Sequence, residues 1–124
     1  MGQFIKVKNQ NKIIHVIEKD QYETSLKRSF LYFLREIFDS VEVEHCFESG
    51  RRIDFLCKKG NLLIGIEYKT EKNTESKEKI SAQLKNYDKD LFIEFGKKIE
   101  VYLLSPQGSI TNSISEQAFL ALFT

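Results

Sequence analysis

The sequence predicts an α/β fold, a mixed sheet flanked by helices, on three observations. The stretch Arg51 to Thr70, RRIDFLCKKGNLLIGIEYKT, alternates in character on both sides of Lys59-Gly60, as a β-hairpin does. Apolar residues at helical spacing flank it: Leu26, Phe30, Phe33, Leu34 and Ile37 before, Ile80, Leu84, Tyr87, Leu91 and Phe95 after. A further strand, Ile99 to Leu104, follows the second helix, and hairpin, helix, strand is the form of a crossover that pairs two strands in parallel.

Composition bounds the reading. A chain of 124 residues, 41% hydrophobic, is expected to be one domain over 1–124: an N-terminal hairpin addition (1–19), a core (20–104) and a C-terminal helix (105–124). No apolar run is long enough to cross a bilayer, and the opening MGQFIKVKNQ lacks the layout of a secretion signal, so no membrane and a cytoplasmic location are expected. A net charge of +1 excludes a protein whose whole surface binds polyanions. Nucleic-acid contact would be local, from Arg51, Arg52, Lys58, Lys59 and the lysines of KTEKNTESKEK, although glutamates interleave these and a solvated surface is the alternative. Cys46 and Cys57, each in a predicted strand, are expected as buried free thiols.

Phe4 to Glu18 has the pattern of a first hairpin around Asn9-Gln10-Asn11, with His15 in a packing or surface role. A helix is expected from about Gln21 to Asp39, opened by Asp20 and Glu23 at capping-box spacing, with Tyr22, Leu26, Phe30, Phe33, Leu34 and Ile37 buried. Glu23 falls inside that stripe and Glu36 outside it. Capping and the helix dipole are one reason for an inward acid there.

Val41 to Phe47 alternates strictly, putting Val41, Val43, His45 and Phe47 on one face, with His45 a packed histidine, and Glu42, Glu44 and Cys46 on the other. After Lys69 a polar loop leads to a second helix capped by Asn73, Thr74 or Ser76 and closed by Gly96. Ser113 to Glu116 then caps a terminal helix that ends at Phe123 and covers a sheet face.

The hairpin carries the chemistry. A two-residue turn at Lys59-Gly60 would set Cys57 opposite Leu62, Phe55 opposite Ile64 and Ile53 opposite Ile66, an apolar face. The other face would pair Leu56 with Leu63, Asp54 with Gly65 and Arg52 with Glu67, with Lys69 following, so that Gly65 leaves space beside Asp54 for a metal ion or a phosphate. Two carboxylates this close repel unless a cation lies between them or one is protonated, and Mg²⁺ bound by few protein oxygens meets that need. Lys69 is placed to hold or polarise an attacking water.

An Asp on one strand and Glu-x-Lys on the next, here Asp54 and Glu67-Tyr68-Lys69, resembles the PD-(D/E)XK nuclease superfamily. Ile53 stands where that family's name has proline, a position that supplies no ligand. The resemblance covers about Gln21 to Leu104 and implies a restriction-endonuclease-like αβββαβ core. It also assigns Glu23 to the acid near the start of the first core helix that reaches the metal. Gln83 and Tyr87, as QLKNY, correspond to the Gln-x-x-x-Tyr pair beside the active site; a boundary glutamine and a core tyrosine are the alternative.

What the resemblance implies is a metal-dependent nuclease acting on nucleic acid, DNA first. Asp54, Glu67, Glu23 and the Tyr68 carbonyl would hold Mg²⁺ or Mn²⁺, and Lys69 would position water and offset charge. One such chain cuts one strand, so a homodimer is implied for double-strand cleavage. Two other readings stand beside it: a binding or interaction module on the same fold that does not cut, and a structural α/β protein in which Glu67 pairs with Lys69 or Arg52.

Overall fold

The structure, a computed structural model, describes residues 10–124, with side chains from residue 23 onward. The elements run α1 (Gln10–Ile37), β1 (Ser40–Cys46), β2 (Arg52–Lys59), β3 (Leu62–Tyr68), α2 (Lys77–Phe95), β4 (Glu100–Ser105), β5 (Ile114–Ser115) and α3 (Glu116–Phe123). The strands form one five-stranded mixed sheet in the order β1-β2-β3-β4-β5. The first three make an antiparallel meander, β4 pairs parallel to β3 through α2, and β5 pairs parallel to β4. Among the described residues no helix is long and apolar enough to cross a membrane.

Each face of the sheet is covered by helix. Phe30, Leu34 and Phe38 of α1 and Phe119 of α3 pack against Phe55, Cys57, Ile64, Ile66, Tyr68 and Leu104. On the other face Tyr87 and Leu91 of α2 pack against Phe47, Ile53, Leu56 and Ile99. Burying one such ring or aliphatic side chain stabilises by roughly 2 kcal/mol. α2 has the expected ends: Ser76 accepts from the Lys79 N–H, and Gly96 closes the helix at φ 71°. α3 is capped by Ser115, which accepts from the Ala118 N–H.

Several expectations are corrected. Residues 10–18, expected as the turn and second strand of an N-terminal hairpin, lie within α1, and residues 1–9 of that hairpin lie outside the described residues, as does the His15 side chain. Ile13, Ile14, Val16 and Ile17 fit the i, i+3, i+4 spacing of a helix as well as a strand run. Glu23 consequently lies well inside α1, where neither a capping box nor the first-turn dipole accounts for it. Phe33, expected in the buried stripe, is 49% exposed, whereas Phe38 is buried in the core. Cys57 is buried, with its thiol pushed up to about 12 by desolvation, whereas Cys46 is exposed.

The hairpin turn is Gly60-Asn61, so the register differs by two residues from expectation: Lys59 pairs with Leu62, Cys57 with Ile64, Leu56 with Gly65 and Phe55 with Ile66. A shift of two preserves side-chain parity, so Phe55, Cys57, Ile64 and Ile66 still share a face. Ile53 does not join them; it packs under α2. β1 changes face at the same level: Val41 packs on the α1 side, whereas Phe47, against which the His45 ring packs, lies on the α2 side. The cause in β1 is Glu44, held at φ 54°, a left-handed conformation that breaks strict alternation.

Candidate functional site

Asp54 lies just beyond the last pair of the β2–β3 ladder, Phe55 with Ile66. Its Oδ2 accepts the Tyr68 N–H at 2.7 Å, and its Oδ1 meets Lys27 Nζ of α1 at 3.1 Å. Glu67, one residue before Tyr68, is 6% exposed and is held at one oxygen only, Oε2, which lies 3.3 Å from Lys69 Nζ. Its Oε1 is buried without a partner. Burial, and next the charge of Asp54, raise the Glu67 carboxyl to about 7 against the pull of Lys69 and Lys27.

Lys69 is shared. Its ammonium donates to Glu75 Oε1 at 2.7 Å as well as facing Glu67. Burial works against its charge, but the bonds to the two carboxylates more than offset that and raise its pKa. Glu75 also accepts from Asn73 Nδ2 at 3.0 Å and from Gln83 Nε2 at 2.8 Å, with Lys79 Nζ 3.6 Å away. These donors, Lys69 first and Asn73 next, lower the Glu75 carboxyl to about 2. The Gln83 Oε1, like Glu67 Oε1, is buried without a partner.

Tyr87, one turn after Gln83 on α2, donates its hydroxyl to the Arg52 carbonyl at 2.7 Å and so ties the start of β2 to the helix. Its pKa is raised by burial and by the nearby charges of Glu67 and Asp54. Arg51 makes a second tie: its guanidinium donates to both oxygens of buried Asp90, at 2.8 and 3.0 Å, and Ser49 donates to the same carboxylate. The strand end that presents Asp54 is therefore anchored twice to α2.

The predicted site residues come together in part. Asp54, Glu67, Lys69 and Tyr87 gather at the end of β3, and Gln83 joins them through Glu75. Glu23 lines one cavity of about 500 Å³ with Lys27, Arg28, Glu44 and Asp54, but its own contact is the Thr70 hydroxyl at 3.3 Å. The Tyr68 side chain is in the core, and its hydroxyl donates to Glu116. The expected space beside Gly65 is taken: a Cβ there would stand 2.7 Å from Ile53 Cδ1, with Leu91 and Val101 next, so the glycine accommodates core packing and leaves no room for an ion. Arg52 pairs with Glu44, not Glu67. His45 accords with its packed reading, held between Glu42 at 2.8 Å and Glu94 at 3.0 Å.

Glu75, Lys27 and Thr70 were not legible as site residues. Glu75 belongs to the charged run KTEKNTESKEK, where nothing local separates it from its neighbours; its place just before the Ser76 cap, which fixes its backbone, is the only available signal.

Among the described residues no group of three or more His, Cys, Asp or Glu side chains is arranged to hold a metal ion. The donor set nonetheless fits an ion of the Mg²⁺ type, which takes one or two carboxylates and fills its other positions with water and phosphate. Glu67 supplies a buried carboxylate oxygen with no partner, and Asp54 holds an ammonium where a cation could stand. Compared with family models, with curated proteins and with solved structures, the chain has no match.

Proposed function

We propose that this chain is a metal-dependent nuclease with a restriction-endonuclease-like core of the PD-(D/E)XK kind, hydrolysing phosphodiester bonds in DNA. The observation that carries the reading is the buried Glu67 carboxylate, whose Oε1 has no hydrogen-bond partner while its Oε2 faces Lys69. An acid so placed costs stability unless it has a use, and a divalent cation is the partner it lacks. The element order α, β, β, β, α, β, with β4 parallel to β3, supports the same reading.

In this reading Asp54 and Glu67 would hold Mg²⁺ or Mn²⁺, with Glu23 lining the same cavity as Asp54. The ion, when bound, supplies Lewis acidity and lowers the pKa of a bound water. Lys69 donates to the attacking water or a phosphate oxygen and offsets the charge that develops. Gln83 holds the substrate backbone, and Tyr87 fixes the strand that bears Asp54. Lys27, now on Asp54 Oδ1, would be displaced from that oxygen if an ion took its place. A single site cuts one strand, so double-strand cleavage calls for a homodimer.

The test is cleavage of single-stranded, duplex and branched DNA and RNA in Mg²⁺ and in Mn²⁺, with E67A and K69A alongside. Metal-dependent cutting lost in both variants supports the reading; no cutting of any substrate contradicts it. A second reading, a binding module that does not cut, is favoured by one observation: Lys27 and Lys69 already neutralise part of the acidic cluster without an ion. Nucleic-acid binding unaffected by metal and by D54A would support that module.

A further inference from the structure

We infer that Glu75 is a positioning residue of this site, holding the ammonium of Lys69 and the amide of Gln83 together; the inference rests on the nuclease reading above. Glu75 lies in the segment between β3 and α2, outside the strands that carry Asp54 and Glu67, yet both of its oxygens are engaged by site residues. Oε1 takes Lys69 Nζ at 2.7 Å and Asn73 Nδ2 at 3.0 Å, and Oε2 takes Gln83 Nε2 at 2.8 Å. Its backbone is fixed as well, because its N–H donates to Asn73 Oδ1 at 2.9 Å and the next residue, Ser76, caps α2.

This arrangement has two consequences for the site. Lysine is a point charge on a flexible stem with three N–H donors. With Glu67 alone as partner, the ammonium would settle on that carboxylate and compete with a cation for it. Gripped by Glu75, Lys69 Nζ stands nearer to Glu75 than to Glu67, at 2.7 against 3.3 Å, and keeps a third donor for water or phosphate. Glu75 also takes the amide nitrogen of Gln83, which fixes that side chain with its oxygen as the acceptor left over. The two buried acceptors without partners among the described residues, Glu67 Oε1 and Gln83 Oε1, thus belong to the side chains at the two ends of one chain, Glu67, Lys69, Glu75, Gln83. Glu75 is assigned a holding role because its two oxygens are the contacts that place Lys69 and Gln83.

The experiment compares wild type, E75A and E75Q as full chains, first by thermal unfolding and then by kcat and KM on whichever substrate wild type cleaves in Mn²⁺. Misplacing Lys69 by about an ångström is expected to lower kcat in E75A about 100-fold while KM stays within about threefold. E75Q, whose amide oxygen still accepts from Lys69, is expected to recover about tenfold of that loss. A folded E75A with kcat within about threefold of wild type would overturn the inference, as would E75Q no better than E75A. Wild type that cleaves nothing fails the nuclease reading instead, and Glu75 is then judged by heteronuclear NMR of the lysine ammonium groups. There, loss or a large shift of the Lys69 signal in E75A upholds the grip, and an unchanged signal overturns it.

Discussion

Ile53 occupies the space that Gly65 leaves: its Cδ1 lies 2.7 Å from the point where a Cβ on Gly65 would stand. The contact joins β2 to β3 under α2, just where β2 departs from strict alternation. G65A is expected to destabilise the fold by about 1 kcal/mol, overpacking outweighing the conformational gain of alanine in a strand. I53V, which shortens the side chain there, is expected to reduce that penalty. Urea unfolding of the two single variants and the double variant checks this.

Glu67 links stability to pH. Its folded carboxyl is raised to about 7 from an ordinary value of 4.5, so its contribution is complete below 4.5 and is lost as pH rises through 7. E67Q is therefore expected to be about 1–2 kcal/mol more stable than wild type at pH 8, with the advantage gone near pH 5. Unfolding free energies at the two pH values measure it.

His45 acts in the same direction at another place. Burial lowers its pKa, but the bonds to Glu42 and Glu94 dominate and raise it, so its stabilisation is complete below its ordinary 6.5 and fades as pH rises through the folded value. Because Glu42 and Glu94 are exposed, the effect should be under about 1 kcal/mol. In E67Q, which removes the larger dependence, H45Q should flatten what remains between pH 6 and 8.5, as read by melting temperature.

Asp90 is buried and depends on Arg51 and Ser49. R51A leaves that carboxylate underpaired and is expected to destabilise the fold, whereas R51A combined with D90N should cost less than R51A alone. Denaturant titration of the cycle decides it.

How much of this was legible in the sequence follows from what each feature depends on. α2 was readable because Ser76, the stripe Ile80 to Phe95 and Gly96 are local signals that agree with one another. The parallel pairing of β3 and β4 followed from a helix between two strands. α1 was half missed, since Ile13 to Ile17 fits either period. The hairpin's existence was clear but its register was not, because Lys59-Gly60 and Gly60-Asn61 both make acceptable two-residue turns. The change of face at Glu44 needs a left-handed glutamate, which no pattern announces. Asp54, Glu67 and Lys69 were visible as a strand motif; Glu75 and Lys27 join them only through contacts that the sequence spacing does not encode.

The central claim is that the vacant acceptor of Glu67 is a cation position, and calorimetric titration of Mn²⁺ into wild type, E67Q and D54N tests it most directly. Saturable binding by wild type that is lost in E67Q and weakened in D54N is the expected result. Binding of equal strength in wild type and E67Q, or no binding by wild type even with nucleic acid present, would contradict it.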